Sequence, residues 1–71
     1  MRYMVIVEKS ASGCGAYVPD LPGCVAAGKT REEVLHLIKE AIELHIESLE
    51  ENGEPIPQPS SVSEFIEVTP A

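Results

Sequence analysis

The sequence has few of the residues that build metal sites, disulfide frameworks or membrane spans. Of its 71 residues, two are cysteine, none is tryptophan and one is phenylalanine. Cys14 and Cys24 are too far apart for a C-x-x-C motif and have no accompanying ligand cluster, so they are expected to be small buried residues rather than a redox pair. No apolar run is long enough for a signal peptide core or a membrane span, which predicts a cytoplasmic protein.

Basic residues are also scarce, and the charge is unevenly distributed. Twelve acidic side chains against five basic ones give a net charge of −7. Residues 1–29 carry three basic and two acidic side chains, whereas residues 30–71 carry two basic and ten acidic ones. A chain of this charge repels phosphate backbones, so direct binding of nucleic acid is not expected. The acidic half suits a basic protein or a metal cation as partner, or it serves only solubility.

Three short segments in the first 28 residues have the composition of β-strands. They are residues 2–9, Cys14–Val18 and Val25–Gly28. The few small and polar residues between the first two predict an antiparallel hairpin. Two prolines and a glycine in residues 19–23 predict a loop outside the sheet.

One long helix is predicted after the third strand. Thr30 and Glu33 have the spacing of a capping box at a helix start. Nothing breaks the helix before Asn52, and Gly53 can end it in the left-handed conformation. A helix of about 22 residues is roughly 33 Å long, which exceeds the length of the strands.

The last third of the chain begins with a stiff proline-rich spacer, residues 54–59, and continues into a segment of strand composition, residues 64–68. We therefore predict a fourth strand there, with Phe65 in the core. The expected fold class is α+β, in the order β-β-β-α-β, with an antiparallel sheet covered by one long helix in a single domain of residues 1–71.

Apolar side chains on the helix fan over an arc of roughly 200°, whereas a helix lying on a sheet needs only about 100°. Residues 3–7 likewise place apolar side chains on both faces of the first strand. The surplus predicts a homodimer or higher homo-oligomer, unless the last strand and the proline segment cover it within one chain. The expected dimer interface consists of Leu37, Leu44, His45 and Ile46. His45 is either a buried histidine with one hydrogen-bond partner or a pH-sensitive dimer contact.

The helix offers little for catalysis or metal binding. His36 and His45 are nine residues apart and so point to opposite sides of it. Five glutamates share its polar face, Glu40, Glu43, Glu47, Glu50 and Glu51, but a convex face supplies neither the concavity nor the desolvation that catalytic carboxylates need. We expect a non-catalytic protein without a metal site or cofactor.

Four motifs then point to a family. They are Pro19-Asp20-Leu21-Pro22-Gly23-Cys24, Gly28-x-Thr30-x-Glu32-Glu33, Glu40-Ala41-Ile42-Glu43 and Gly53-Glu54-Pro55-Ile56-Pro57. Over nearly its entire length the chain resembles HicB-like antitoxins, the UPF0150-like group included. The resemblance implies a degenerate ribonuclease-H-like fold and the role of antitoxin in a type II toxin–antitoxin system.

The same resemblance implies a partner and a mode of action. The partner is expected to be a HicA-like toxin, a small basic protein that cleaves mRNA, inhibited by occlusion of its RNA-binding and catalytic surface. Nuclease activity of the chain itself is not expected, because the metal-binding carboxylates expected on the first strand of such a fold are missing, which leaves only Glu8 near the end of that strand. Many relatives continue into a C-terminal DNA-binding domain. Such a domain is not expected here, and neither is binding to operator DNA. The alternative is an orphan dimeric module that binds another protein or a ligand.

Two surfaces are the candidates for partner binding. One is the polar face of the helix, with Glu40, Glu43, Glu47 and Glu50, and the other is the proline loop, with Leu21 as an apolar contact beside Asp20. A solvated helix face and a simple strand connection remain the alternatives.

Overall fold

Three antiparallel strands and one helix make up the regular structure of residues 1–70, the part of the chain that the computed structural model describes. Strand β1 spans Ile6–Ser10, β2 spans Gly13–Tyr17, β3 spans Val25–Gly28, and helix α1 spans Arg31–Glu51. The strands lie in the order β1-β2-β3. The predicted α+β class, the antiparallel sheet and the long helix are confirmed.

The hairpin between β1 and β2 depends on a glycine. In the register, Ser10 lies opposite Gly13, and the next residue, Cys14, lies opposite Gly28 in β3. Gly13 has a φ of +153°, and a Cβ there would lie 2.5 Å from the carbonyl oxygen of Gly28. Any side chain at position 13 would therefore push β3 away from the hairpin.

Strand β1 is shorter than the predicted residues 2–9. Its pairing with β2 ends at Ile6, opposite Tyr17, because the chain leaves the sheet at Val18 and Pro19. Residues 1–5, which we call the N-terminal segment, extend beyond the sheet without a neighbouring strand.

Both ends of α1 are capped as the sequence predicts. The Thr30 hydroxyl accepts a hydrogen bond from the amide of Glu33 at 3.1 Å, and the Glu33 carboxylate accepts one from the amide of Lys29 at 3.4 Å, one residue earlier than in the usual capping box. At the other end, Gly53 adopts a φ of +67°. The amides of Gly53 and Glu54 donate to the carbonyls of Glu50 and Leu49, which is the Schellman arrangement.

The core lies between the sheet and α1, which packs on β2 and β3. Its buried residues are Cys14, Ala16, Val18, Leu21, Cys24, Val34 and Ile38. Tyr3, Val5 and Val7 pack against this cluster from one side of the first strand, as the alternation predicts. Both cysteines are free and buried, also as predicted.

The predicted fourth strand is wrong. Residues 54–70 contain no strand, and Phe65, expected in the core, is 99% exposed. Strand composition describes which side chains suit a pleated surface, but a strand forms only where an edge pairs with it. Within residues 1–70 of a single chain, residues 64–68 do not pair with such an edge.

Candidate protein-binding surface

Four exposed carboxylates form a stripe along α1. They belong to Glu40, Glu43, Glu47 and Glu50, and all four residues are exposed. At about 100° per residue, their spacing places them within an arc of about 80°. This arc lies on the side of the helix opposite the buried Val34 and Ile38. We call this set the acidic stripe.

The acidic stripe continues to the C-terminus of α1, which is the end of a helix that repels negative charge. The last turn of α1 contains Glu50 and Glu51 and no basic residue. The C-terminus of a helix carries a partial negative charge, so each carboxylate there costs roughly 0.3–1 kcal/mol of stability. This charge weakens the helix and creates a negative potential that a cationic surface would neutralise.

Few internal cations balance the stripe. His36 forms an ion pair with Glu40 at 3.0 Å, between two exposed side chains. Exposed pairs of this kind contribute little, and the histidine is charged only when protonated. Most of the negative charge therefore remains available to a partner.

The carboxylates do not combine with other groups into a metal centre. Within residues 1–70, no three His, Cys, Asp or Glu side chains lie close enough together to hold a metal ion. Over the same residues, no helix has the length and apolar character needed to cross a membrane.

Asp20, predicted as a partner contact, instead ties down a distant part of its own chain. Its carboxylate accepts four hydrogen bonds of 2.7–3.1 Å, from the amides and hydroxyls of Ser60 and Ser61. Chiefly because of the hydrogen bond from the Ser61 hydroxyl, the pKa of Asp20 is lowered. We call this contact the Asp20 tie. Sequence reasoning missed it because the partners are about 40 residues apart and no local pattern links them.

The prediction of Leu21 as an exposed contact is wrong. Leu21 is 0% exposed and belongs to the core. Three backbone hydrogen bonds, among Val18, Leu21 and Cys24, wind the loop tightly and turn this side chain inward. The residues exposed on the loop are Pro19, Pro22 and Gly23.

The four residues predicted for a dimer interface do not share one surface. Leu44 is 66% exposed, and Leu37 lies one heptad before it on the same flank of α1. Ile46 is about 160° away from Leu44 around the helix, and half-buried His45 lies between them on the sheet side.

Ile46 instead lines an apolar groove that sequence reasoning did not find. The groove has a volume of about 370 Å³ and lies between the N-terminal segment and α1. Its apolar walls include Tyr3, Val5, Ile38, Ile42 and Ile46. The alternation of Tyr3 and Val5 was a signal for this surface, but the relative position of strand and helix was needed to show that it stays open.

Residues 3–70 match the family described as HicB-like antitoxin of bacterial toxin–antitoxin system. This chain belongs to the HicB-like antitoxin family. The match includes the acidic stripe, the Asp20 tie and the groove, apart from Met1, which also borders the groove.

Individual relatives of this HicB-like chain come from bacteria, archaea and a phage. It is 49% identical over 59 residues to a UPF0150 protein of Thermoplasma acidophilum, covering 82% of this chain and 86% of that protein. It is 36% identical over 69 residues to Antitoxin HicB 2 of Photorhabdus laumondii, covering 96% of this chain and 50% of that protein. An uncharacterised 14.9 kDa protein of Haemophilus phage HP1 is 39% identical over 66 residues, covering 93% of this chain. The chain spans half the length of the phage protein as well.

The fold of this HicB-like chain also matches a solved complex. A chain in the structure titled "HicA3 and HicB3 toxin-antitoxin complex" superimposes with a TM-score of 0.70 and 35% sequence identity. The match covers 83% of this chain and 70% of that one.

Proposed function

We propose that this chain is the non-catalytic antitoxin of a type II toxin–antitoxin pair and that it neutralises a HicA-like, mRNA-cleaving toxin by covering the toxin's basic surface. The observation that carries the proposal is the acidic stripe, Glu40, Glu43, Glu47 and Glu50, exposed on one side of α1. Membership of the HicB-like family and the match to a chain in a HicA3–HicB3 complex support the choice of partner.

The stripe suits this role because it extends to positions where carboxylates destabilise their own helix. Carboxylates near the C-terminus of α1 add to the negative end of the helix dipole. A protein whose surface binds RNA presents lysine and arginine side chains, and these neutralise both the carboxylates and the helix end. Charges of this kind mainly accelerate association and select the partner.

The same geometry favours occlusion over catalysis. The four carboxylates lie on a convex and exposed surface, where a substrate is not enclosed and carboxylates keep their hydration. The chain is proposed to act as a cover, on a degenerate ribonuclease-H-like fold, with the toxin as its partner and no cofactor.

Charge reversal tests the stripe. We expect Glu43→Lys together with Glu47→Lys to slow association with the basic toxin encoded beside the gene by about tenfold or more at low salt, because steering depends on this charge. We also expect the dependence of the association rate on salt to decrease. Surface plasmon resonance at several salt concentrations measures the rates, and an RNA-cleavage assay measures toxin inhibition.

A matched control separates the stripe from net charge. Glu8→Lys together with Glu54→Lys changes the net charge equally at two exposed positions outside the stripe, and we expect a much smaller effect on the rate. Equal rates for the two double variants would contradict the proposed surface. Absence of any basic neighbour protein that binds the chain would contradict the antitoxin role.

A further inference from the structure

The end of the described chain exposes apolar side chains that a stable monomer normally covers. Residues 62–68, here called the C-terminal tail, have the sequence Val-Ser-Glu-Phe-Ile-Glu-Val. Their exposed fractions are 78% for Val62, 99% for Phe65, 82% for Ile66 and 76% for Val68. A run of β-branched and aromatic residues exposed in this way indicates a surface that is completed by another strand.

Two contacts hold the chain at the point from which the tail departs. The Asp20 tie fixes Ser60 and Ser61, and the Tyr3 hydroxyl donates a hydrogen bond to the carbonyl of Pro57. A shallow pocket formed by residues 2–4 and 61–63 places the beginning of the tail beside the N-terminal segment. The tail thus begins at a defined position next to the sheet.

The molecule also has an unpaired edge that can accept a strand. Strand β1 is at the end of the β1-β2-β3 sheet and, among the described residues, pairs only with β2. The N-terminal segment continues the same chain beyond that pairing, and the apolar groove lies between it and α1. A free edge beside an open apolar groove is the usual site of strand addition.

The tail fits this edge in length, pattern and charge. Seven extended residues span about 23 Å, and alternate side chains point to opposite faces. Val62, Glu64, Ile66 and Val68 share one face, on which the three apolar side chains suit the groove, while Phe65 and Glu67 are on the other. Glu64 and Glu67 make the tail purely acidic, whereas Arg2 in the N-terminal segment and Lys39 beside the groove supply positive charge, with Glu43 the one acidic residue on the groove wall.

We propose that the C-terminal tail of one chain adds as a strand to the free edge of β1 in a second copy, beside that copy's groove, and that the exchange is reciprocal. Every chain carries both the tail and the edge, so a two-fold dimer pairs both tails and both edges at once. In this structure of a single chain, the tail is held by its start and does not cover its own groove. The inference does not depend on the toxin.

Two variants of the full chain test the exchange. Ile66→Pro removes an amide needed for pairing, and Phe65→Asp removes the largest exposed apolar group. We expect each to weaken the dimer by at least about tenfold, measured by sedimentation equilibrium. Gln58→Pro and Thr69→Asp introduce the same residues at exposed positions outside the tail, and we expect both controls to dimerise like the parent. Circular dichroism checks that each variant keeps its helix.

Hydrogen exchange and mixed labelling give the location. We expect the amides of residues 63–68 to be protected at high protein concentration and to lose protection on dilution. In an equal mixture of labelled and unlabelled chains, nuclear Overhauser effects should connect Ile66 of one copy with Val5 of another. A monomer at every concentration would overturn the proposal, and so would a tail protected within a monomer. A dimer insensitive to both variants, or a tail protected only when the toxin is added, would overturn it as well.

Discussion

Leu21 belongs to a surface loop, but its side chain is part of the core. Its side chain is fully buried although Pro19 and Pro22 make the segment look exposed in the sequence. Truncation leaves a cavity beneath α1, so we expect Leu21→Ala to reduce the free energy of unfolding by about 2–5 kcal/mol. Urea denaturation at low protein concentration measures it. Val25→Ala, at a position that is mostly exposed on the sheet, should cost less than about 1 kcal/mol. Similar losses for both variants would contradict the burial of Leu21.

Asp20 provides the prediction of pH dependence. Its pKa is lowered because Ser60 and Ser61 donate hydrogen bonds to the ionised carboxylate. A group with a lowered pKa in the folded state stabilises the fold above its unfolded pKa, and this stabilisation is lost as the pH falls through the folded value. The Asp20 tie should therefore be intact at neutral pH and open only in strong acid.

A titration of the Asp20 carboxyl carbon by NMR measures this directly. We expect the pKa to be higher in the Ser60→Ala, Ser61→Ala double variant, because both hydroxyl donors are removed. Ser10→Ala with Ser12→Ala is the matched control, since the hydroxyls of these two serines contact each other and the hairpin turn rather than Asp20. An Asp20 pKa that is the same in both double variants would show that the serine hydroxyls do not donate to it.

At the scale of elements, the helix end gives a matched pair of glycine substitutions. A Cβ at Gly53 meets no atom within 4 Å, but its φ of +67° is unfavourable for other residues. We expect Gly53→Ala to destabilise the protein by about 1–2 kcal/mol in thermal or urea unfolding. Gly15 in β2 also has room and has no positive φ. Gly15→Ala should be neutral or stabilising, and an equal loss at both positions would contradict the role assigned to the Schellman turn.

The elements that were predictable from sequence are those specified by neighbouring residues. Thr30, Glu33 and Gly53 encode both ends of α1 within a few positions of each. A β-branched run encodes the first strand, and the turn residues around the two small-residue segments indicate the other two. The shortening of β1 and the missing fourth strand were not predictable in this way, because each depends on whether a distant segment is alongside. Pro19 is one residue that could have predicted the shorter β1, since it ends β2 and so removes the partner of residues 2–5.

The features of the candidate site likewise divide into those that local spacing predicts and those that depend on contacts between distant residues. The acidic stripe follows from helical spacing alone, so its four glutamates were identified correctly as one exposed face. The Asp20 tie and the apolar groove each join residues far apart in the chain, and no periodicity reports such contacts. The four residues predicted for the dimer interface lie on different sides of α1 for a related reason. Helical spacing gives their positions around the helix, but it does not show which of these positions the sheet covers.

For the whole molecule, the acidic stripe and the apolar groove are neighbouring surfaces on α1. The acidic stripe is on the solvent side of α1, while the open groove and the exposed tail border the N-terminal segment. A basic partner and a second copy would therefore use neighbouring surfaces that meet at Glu43, which belongs to the stripe and also lines the groove. The two proposals are measured separately, in toxin association and in self-association. Because Glu43 borders the groove, the charge-reversed chain is also checked for its dimerisation.

The Asp20 tie also determines how the molecule responds to pulling. A protease that grips residues 69 and 70 meets first a tail without backbone ladders, and then the four hydrogen bonds at Asp20. Once these part, the load passes along the proline-rich spacer, breaks the hydrogen bond between Tyr3 and Pro57, and then reaches the cap at Gly53 and unwinds α1 from its C-terminus. Because α1 is the only layer over the buried face of the sheet within residues 1–70, mechanical unravelling from that end removes the core last and all at once.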